Sequence, residues 1–491
     1  MSNVLSNLEP EKVFYYFEQL CQIPHGSGNT KEISDYCVNF AKEHNLNYVQ
    51  DDANNVIIFK EASKGYEDRK TVIIQGHLDM VTAKTAESTH DFNKDPLDLR
   101  VDGDSVHCKD TTLGGDDGIA VAMGLAILAD DTIEHPALEA VFTVDEEIGL
   151  LGATALDVTP LHGSYMLNLD SEEEGIFTVG CAGGVTAQIG FEWETTNIEG
   201  ITSQLIISGL NGGHSGTGIN KGHMNAHKVL GRLFHEFDNE EVYFGIESIQ
   251  GGNKDNVIPN QCEAVIVLPD DDDNYAKFEK CAQKVEAQLR KEYAVADNGI
   301  KITTVKEKKA AAHEILNRNS AQMLTYFLNF APNGIQYMNQ SIPGLVETSL
   351  NMGILSVTGG KAQMGYSVRS AVKSSKFNLM ERVKYFTEFL GGECTFVGEY
   401  PAWEYRTESK LRDIACESFE RLYHKKPVVE TIHAGVECGI FEEKFQEQGK
   451  ELDIISMGPD LTDIHTVNES LSISSTQRTW ELVLDILKNL K

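Results

Sequence analysis

The chain has 491 residues, of which 41% are hydrophobic and 24% are charged, a composition typical of a globular protein with more than one domain. Its net charge is −33, from 42 Lys and Arg residues against 75 Asp and Glu residues. Such a surface repels phosphate groups, so we expect neither nucleic acid nor an anionic membrane as a partner.

The N-terminus and the cysteines predict a cytoplasmic protein. The opening sequence MSNVLSNLEPEKVFYYFEQL has no basic stretch followed by an apolar run, and no stretch approaches the roughly 18 apolar residues of a membrane span. The nine cysteines are scattered without a C-x-x-C pair, which is typical of reduced thiols. A metal ion would therefore be bound by histidine and carboxylate side chains rather than by thiolates.

The first part of the chain, to about residue 184, alternates helix and strand patterns. Helices are predicted at EPEKVFYYFEQLCQI, NTKEISDYCVNFAKEHNL and GIAVAMGLAILAD. Strands are predicted at NNVIIFK, TVIIQGHLDM, ALEAVFTVDEE and GSYMLNLD. This alternation predicts an α/β domain with a partly parallel sheet.

The middle of the chain has a different pattern, typical of an inserted α+β domain. Strands are predicted at VTAQIGFEWETT, ITSQLIISGL and CEAVIVLP, and helices at NAHKVLGRLFHEF and NYAKFEKCAQKVEAQLRKEY. The last part returns to helix, strand and helix, as if it completed the first domain. We therefore predict one domain from segments 1–184 and 399–491, and a second domain from segment 185–398.

The strand TVIIQGHLDM ends in His77 and Asp79. If the extended conformation continues to the end of this segment, both side chains lie on the same side of the sheet. The carboxyl ends of parallel strands line the ligand crevice of an open α/β sheet. A hydrogen-bonded histidine and a helix-capping aspartate are an alternative interpretation of this stretch alone.

Acidic residues also lie at the ends of three further predicted elements. Asp116 and Asp117 precede a predicted helix in LGGDDGIAVA, although one aspartate is enough to cap a helix. The three acids 145–147 end the strand in FTVDEEIGLLGA and repel one another unless a cation lies among them, a solvated acidic turn being the alternative. Asp170 ends the strand in MLNLDSEEEG. Together these strand ends indicate a metal site.

The donor set contains imidazole nitrogen and carboxylate oxygen. These ligands suit Zn²⁺ in a catalytic site, with Mn²⁺ or Co²⁺ as substitutes. Several carboxylates favour two ions roughly 3.5–4 Å apart, as in hydrolytic two-metal sites. A second histidine is then needed, and both His465 in GPDLTDIHTVNE and His433 in TIHAGVECGIF are candidates.

Seven motifs together resemble the M20 family of metallopeptidases, in its branch of aminoacyl-histidine (Xaa-His) dipeptidases. In chain order they are QGHLDMV, TLGGDDGIAVA, FTVDEEIGLLGA, LNLDSEEEG, NGGHSG, HAGVECGIF and IHTVNE. The resemblance covers essentially the whole chain. It implies a two-domain zinc-peptidase architecture, in which segments 1–184 and 399–491 form a mixed-sheet catalytic domain and 185–398 is an inserted α+β lid that carries a homodimer contact.

The resemblance also implies the metal ligands. His77 and Asp170 would bind one zinc ion, and Glu147 and His465 would bind a second zinc ion in the same subunit. Asp116 would bridge both ions.

Two further acids have implied roles beside these ligands. Asp79 would orient His77, and Glu146 would be the general base that takes a proton from water and passes it to the leaving amine. The chain departs from the family pattern at Asp117, where relatives often have Asn. A charged Asp117 would add negative charge near the ions without affecting Asp116.

The predicted lid supplies implied substrate contacts. His214 in NGGHSG matches a histidine that stabilises the oxyanion, in many relatives in the active site of the other subunit; an ordinary turn histidine is the alternative. Arg369 in GYSVRS would bind the terminal carboxylate of the substrate, unless it forms a surface salt bridge. Asn256 and Gly435 are further predicted contacts, and His433 is predicted to lie behind the ligands.

The resemblance implies a cytosolic dipeptidase with two zinc ions, which acts on small peptides and prefers Xaa-His dipeptides such as β-alanyl-histidine. A broad-specificity dipeptidase, a deacylase or a tripeptidase on the same scaffold is the main alternative. A protein that only binds metal or peptide is a third alternative. The presence of Glu146 argues against this last interpretation, because a binding protein needs no general base.

Overall fold

A computed structural model describes residues 4–307, 310–340, 342 and 344–490, which fall into two compact units. The first unit consists of the residues up to Cys181, Trp403–Thr431 and the residues from Val436 onward. The second unit consists of Ala182–Ala402 and Ile432–Gly435. The sequence analysis placed the boundaries after residues 184 and 398 and did not anticipate that 432–435 would pack with the second unit.

The first unit begins with four helices and eight strands. The helices are Glu11–Leu20 (α1), Lys31–Glu43 (α2), Gly115–Leu128 (α3) and Leu151–Ala155 (α4). The strands are Asn47–Gln50 (β1), Val56–Lys60 (β2), Val72–His77 (β3), Leu99–Asp102 (β4), Ser105–Cys108 (β5), Leu138–Thr143 (β6), Tyr165–Asn168 (β7) and Ile176–Cys181 (β8).

The described residues of the second unit form four α-helices, a short 3₁₀ helix at Ile219–Lys221 and twelve strands. The α-helices are Ala226–Asn239 (α5), Asp272–Glu292 (α6), Arg318–Phe330 (α7) and Lys373–Phe389 (α8). The strands are Gly183–Glu192 (β9), Thr195–Ser208 (β10), Gly213–His214 (β11), Gly245–Gly251 (β12), Val257–Ile258 (β13), Cys262–Leu268 (β14), Lys301–Lys306 (β15), Ala311–Leu316 (β16), Gly334–Met338 (β17), Val346–Thr358 (β18), Lys361–Ser370 (β19) and Glu393–Tyr400 (β20).

The C-terminal part of the chain adds three helices and four strands. The helices are Lys410–Tyr423 (α9), Glu437–Glu447 (α10) and Ile473–Asn489 (α11). The strands are Val428–Ile432 (β21), Asp453–Ser456 (β22), Leu461–Thr462 (β23) and Ser470–Ser472 (β24). None of the helices in the described part of the chain combines the length and apolar character needed to cross a lipid bilayer.

The first unit is built on an eight-stranded mixed sheet in the order β1-β2-β6-β3-β7-β22-β8-β21. Strand β3 is parallel to both β6 and β7, and β22 is parallel to β7. The carboxyl ends of β3, β6 and β7 therefore reach the same edge of the sheet. A second sheet, in the order β23-β24-β5-β4, supports the loop between β23 and β24.

Burial explains why the central strands form. All six residues of β3 and all six of β6 are buried, as their continuous apolar runs predict for strands covered on both faces. Helix α3 is rich in Ala and Gly and is buried on nearly all sides, so it packs closely against the sheet. The predicted α/β class with a mixed sheet is confirmed.

The second unit is an α+β structure around a separate apolar core. Its large sheet runs in the order β15-β10-β14-β12-β18-β19-β9-β20, while β16 pairs with β10 and β17 pairs with β18. Helices α5, α6, α7 and α8 contribute buried apolar residues to the core that covers this sheet. Strands β11 and β13 form a short separate ribbon.

Candidate functional site

The first unit brings the five predicted metal ligands into one cluster. The Oδ1 atom of Asp116 lies 3.1 Å from Nε2 of His77, and its Oδ2 atom lies 3.2 Å from Nε2 of His465. The Oδ1 atom of Asp170 lies 3.7 Å from Nε2 of His77, and Oε1 of Glu147 lies 2.9 Å from Nε2 of His465. Asp116 thus has one carboxylate oxygen directed to each imidazole.

Each ligand is positioned by the end of a secondary-structure element. His77 is the last residue of β3, and Asp170 follows β7 by two residues. Glu147 lies in the loop after β6, and His465 lies in the loop between β23 and β24. Asp116 lies at the start of α3, where its own backbone is not yet helical. The parallel order of β3, β6 and β7 therefore accounts for the grouping of three of the five ligands.

Two groups of side chains fit a pair of cations. His77, Asp116 and Asp170 form one group, and Asp116, Glu147 and His465 form another, with the ligand atoms of each group within 4.8 Å of one another. These two groups share Asp116, as a bridging carboxylate requires. A third group of the described residues, His77, Glu146 and Glu147, meets the same distance limit and overlaps both. Nitrogen and carboxylate oxygen donors without thiolate suit Zn²⁺, Mn²⁺ or Co²⁺.

The cluster contains far more acid than base. Its carboxylates belong to Asp79, Asp116, Asp117, Glu146, Glu147 and Asp170. Across residues 4–307, 310–340, 342 and 344–490, no Lys or Arg forms an ion pair with any of them. The Oε1 atom of Glu147 is buried and makes no hydrogen bond of acceptable geometry. These features fit a site completed by positive ions.

The protonation of the cluster shows the same deficit of positive charge. Burial, reinforced by neighbouring carboxylates, raises the pKa of Asp170 well above its usual range and that of Glu146 to about 8. The close carboxylates of Asp116 and Glu147 raise the pKa of His465 to about 10. Burial opposes protonation of His77, but its acidic neighbours outweigh burial and raise its pKa. The raised pKa values thus favour protonated side chains at the positions where cations would bind.

Asp79 is buried and holds both His77 and the loop after β6. The Nδ1 atom of His77 lies 3.0 Å from the backbone carbonyl oxygen of Asp79 and 3.4 Å from its Oδ1 atom. The carboxylate accepts hydrogen bonds from the backbone N–H of Glu146 (3.0 Å) and Glu147 (3.4 Å) and from Oγ of Ser27 (2.8 Å). Strand β3 ends at His77 rather than at Asp79, and the shorter of the two contacts of His77 is with the backbone carbonyl.

Asp117 is buried beneath His77. Its Oδ2 atom accepts a hydrogen bond from the backbone N–H of His77 at 3.3 Å. A Cβ atom at Gly76 would lie 2.6 Å from that oxygen, so a glycine is needed there. Burial, with a contribution from the charge of Asp116, raises the pKa of Asp117 well above its usual range. Burial therefore favours the neutral acid over the charged form considered from the sequence.

Sequence reasoning missed Glu469, which holds the turn before α3. Its Oε2 atom accepts hydrogen bonds from the backbone N–H of Leu113 (2.8 Å) and Gly114 (3.2 Å). Its Oε1 atom accepts hydrogen bonds from Gly115 (2.8 Å) and Asp116 (3.4 Å). The signal was present, because Glu469 is the acid of the motif IHTVNE.

Glu437 was also missed, although it belongs to the motif HAGVECGIF. Its Oε2 atom accepts hydrogen bonds from Nε2 of Gln75 (2.6 Å) and Oγ1 of Thr143 (2.7 Å). Gln75 accepts in turn from Nδ2 of Asn168 at 2.5 Å. This buried network links β3, β6 and β7 shortly before their ligand-bearing ends, and burial raises the pKa of Glu437 to about 7.

The second unit contains all four predicted substrate-binding residues. His214 in β11 pairs with Val257 in β13, the residue after Asn256. The backbone carbonyl of Asn256 accepts a hydrogen bond from the N–H of Ser215 at 2.8 Å. His214 is half-buried. Its pKa is lowered mainly by burial and, to a smaller extent, by the nearby charge of Arg369. The ribbon therefore brings Asn256 beside His214.

Arg369 is a buried cation without an acidic partner in the described part of the chain. It is 7% exposed, and its Nη1 donates a hydrogen bond to the hydroxyl of Tyr400 (2.7 Å), whereas its Nε has no hydrogen-bond partner among the residues that the structure describes. The surface salt bridge considered from the sequence is not found among these residues. Burial, together with the charges of Arg369 and His214, lowers the pKa of His433 to about 3. This cluster suits an anionic ligand.

The positions of His433 and Gly435 bear on two of the sequence predictions. His433 lies in the second unit with its Nε2 2.7 Å from Oγ of Ser349, whereas His465 is the histidine that reaches Asp116. Gly435 has a packing reason to be a glycine, because a Cβ atom there would overlap the ring of Tyr400. Substrate contact by Gly435 stays a prediction.

Comparisons with known proteins agree with this architecture. The peptidase dimerisation domain family matches residues 206–297. The cytosol non-specific dipeptidase of Escherichia coli is 34% identical over 99% of both chains. The crystal structure of aminoacylhistidine dipeptidase from Vibrio alginolyticus is 33% identical and superposes with a TM-score of 0.91 over 99% of this chain and 98% of that one.

A more distant structure shares the fold alone. Aminopeptidase PepT from Bacillus cereus is 15% identical and superposes with a TM-score of 0.57 over 98% of this chain and 99% of that one. The full-length relatives, the matched dimerisation domain and the two-unit architecture all agree with the resemblance seen in the motifs. The chain therefore belongs to the M20 family of metallopeptidases and is a hydrolase that acts on peptide bonds.

Proposed function

We propose that this M20 peptidase is a dipeptidase with two zinc ions per subunit. The observation that carries the proposal is the position of Asp116, whose two carboxylate oxygens lie 3.1 Å and 3.2 Å from the imidazoles of His77 and His465. In this proposal Asp170 completes the ligand group of His77, and Glu147 completes that of His465. Mn²⁺ or Co²⁺ would fit the same donors.

Bound zinc would supply the Lewis acidity that polarises the peptide carbonyl and lowers the pKa of water towards ~7. Glu146 is the general base: its carboxylate takes a proton from the attacking water and passes it to the leaving amine nitrogen. A C–O bond forms as the C–N bond breaks, so the products are an amine and a carboxylic acid. Asp79 holds the backbone N–H of Glu146 and so fixes the loop that carries this carboxylate.

The second unit supplies the substrate contacts of the proposal. Arg369 binds the terminal carboxylate of the peptide, because a buried guanidinium without an acidic partner among the described residues needs an anion. His214 donates a hydrogen bond to the developing oxyanion, and its lowered pKa favours a neutral imidazole that still carries one N–H. Asn256, beside His214, and Gly435 contact the peptide.

Xaa-His dipeptides such as β-alanyl-histidine are the proposed preferred substrates. The similarity to the aminoacylhistidine dipeptidase, with a TM-score of 0.91, supports this preference. Broad dipeptide specificity is the second candidate, which the similarity to the cytosol non-specific dipeptidase favours. Both candidates use the same metal cluster and differ only in the side chains that the pocket accepts.

We further propose that the protein acts in the cytoplasm as a homodimer. The name of the 34% identical relative supports the location, and the match to the peptidase dimerisation domain supports the dimer. The net charge of −33 disfavours nucleic acid and anionic membranes as partners.

A substrate screen after metal analysis tests the proposal. Purified protein is expected to contain two zinc ions per chain and to hydrolyse Xaa-His dipeptides, including β-alanyl-histidine, faster than glycyl-glycine. Equal rates on all dipeptides would favour the broad-specificity candidate. Faster cleavage of N-acetyl amino acids or tripeptides would contradict dipeptidase activity, and metal content without hydrolysis would indicate a binding protein.

A further inference from the structure

Four residues on neighbouring strands of the second unit form a row that contains Arg369. Ser349 in β18 pairs with Arg369 in β19, Arg369 pairs with Gly184 in β9, and Gly184 pairs with Tyr400 in β20. Residues paired in this way point to the same face of the sheet. Tyr400 is therefore two strands away from Arg369, on the same face.

The missing side chain at Gly184 allows Tyr400 to reach Arg369. A Cβ atom at Gly184 would overlap the hydroxyl oxygen and ring of Tyr400, so the phenol lies across the space that a larger residue would fill. In this position the hydroxyl oxygen accepts a hydrogen bond of 2.7 Å from Nη1 of Arg369. Gly435 leaves room for the same ring, since a Cβ atom there would overlap Cε2 of Tyr400.

A tyrosine suits this position for an electrostatic reason. An aspartate or glutamate would also orient the guanidinium, but its negative charge would neutralise Arg369 and compete with an anionic ligand. A phenol accepts a hydrogen bond and keeps its neutral form at physiological pH. Tyr400 therefore fixes the guanidinium without cancelling its charge.

We propose that Tyr400 is a positioning residue for recognition of the peptide's terminal carboxylate: it holds the guanidinium fork of Arg369 in one orientation, in the space left by Gly184 and Gly435. The inference rests on the proposed function, in which Arg369 binds that carboxylate. Bidentate binding of a carboxylate requires a fixed plane of the guanidinium, which one anchored nitrogen provides.

The test compares each dipeptide with its C-terminal amide, which lacks the negative charge. Tyr400→Phe is expected to raise KM for the dipeptide about tenfold, to change kcat less than about twofold, and to leave kcat/KM for the amide unchanged. Gly184→Ala should give the same pattern, because its added Cβ displaces the phenol. This second variant keeps the test decisive if either protein folds poorly.

Tyr366→Phe is the matched control. Tyr366 lies on β19 with Arg369 and is fully buried, and its hydroxyl has no hydrogen-bond partner within the described ranges. The same chemical change is therefore made on the same strand without loss of a contact. We expect unchanged kinetics for both the dipeptide and the amide.

Arg369→Gln separates failure of this inference from failure of the proposed function. If Arg369→Gln abolishes the preference for the dipeptide over the amide while Tyr400→Phe and Gly184→Ala preserve it, the positioning role is refuted and the role of Arg369 stands. Equal losses on dipeptide and amide in Tyr400→Phe would mean a merely structural role and refute the inference. If Arg369→Gln keeps the preference, the carboxylate contact itself is refuted.

Discussion

The two units contain polar clusters of opposite electrostatic character. In the first unit, carboxylates surround the two imidazoles of His77 and His465, and no Lys or Arg within the described ranges pairs with them. In the second unit, Arg369 lies near His214 and His433, and no carboxylate among the described residues pairs with Arg369. Within the described part of the chain, each cluster therefore has an excess of one sign of charge.

This difference indicates which ligand each cluster binds. Uncompensated charge inside a protein is costly, and it persists where a ligand supplies the missing charge. An acid-rich cluster with two imidazoles needs cations, whereas an arginine among neutral imidazoles needs an anion. In the proposed function, metal ions act on the scissile bond and the guanidinium of Arg369 binds the free carboxylate, so both kinds of ligand are used.

Asp116→Ala tests the acid-rich cluster with the largest expected effect. Asp116 is the only residue shared by the two ligand groups that fit the pair of cations, so its removal should weaken both ions at once. We expect less than one zinc ion per chain by elemental analysis and a loss of activity of about 10⁴-fold or more. Two retained ions would contradict the bridging role.

Glu146→Gln separates proton transfer from metal binding. Because Glu146 is not one of the five predicted ligands, the variant should keep two zinc ions, while kcat falls about 10²- to 10⁴-fold. Steady-state kinetics and metal analysis of the same sample measure both quantities. Glu147→Gln is the matched control, since the adjacent residue lies 2.9 Å from His465 and its substitution should release metal. Retained activity in Glu146→Gln would refute the assigned base.

His214→Ala tests the second unit with a smaller effect. Removal of one donor to a developing oxyanion costs about 10²- to 10³-fold in kcat. We expect that loss with zinc content and KM nearly unchanged, because the contact strengthens only as the oxyanion forms. His235→Ala is the control, since His235 is an exposed histidine on α5 of the same unit. An increase in KM without a change in kcat would indicate ground-state binding by His214 instead.

The sequence predicted the fold and the grouping of the ligands where hydrophobic runs end in polar residues. The buried strands β3 and β6 have such runs, and the parallel order then brings His77 and Glu147 to one edge. The confirmed fold class and family follow from these motifs. The role of Glu469 could not be predicted from a local sequence pattern, because its partners are four backbone N–H groups more than 350 residues away in the chain.

The second unit was less predictable for a similar reason. The contact between Arg369 and Tyr400 depends on the register of three strands. Gly184 lies between them, but a glycine in the sequence does not indicate which side chain will fill the space beside it. The segment 432–435 is too short to have a periodic pattern, so its packing with the second unit was not visible. Such contacts arise from tertiary structure rather than from local preference.

Asp117→Asn has the smallest expected effect and sharpens the comparison within the acid-rich cluster itself. Asp116 and Asp117 are adjacent, yet burial raises the pKa of Asp117, whereas the nearby imidazoles lower that of Asp116 against the effect of burial. An amide has nearly the shape of a neutral carboxylic acid, and its oxygen accepts the hydrogen bond from the backbone N–H of His77 equally well. Asp117→Asn should therefore keep both zinc ions and change kcat/KM by less than about threefold, whereas Asp116→Asn should lose metal.

Zinc affinity measured by competition with a chelator distinguishes the Asp117→Asn variant from the Asp116→Asn variant. A comparable loss of zinc in both variants would mean that Asp117 contributes charge to the cluster, and that the acid-rich cluster extends beneath His77 rather than ending at its ligands.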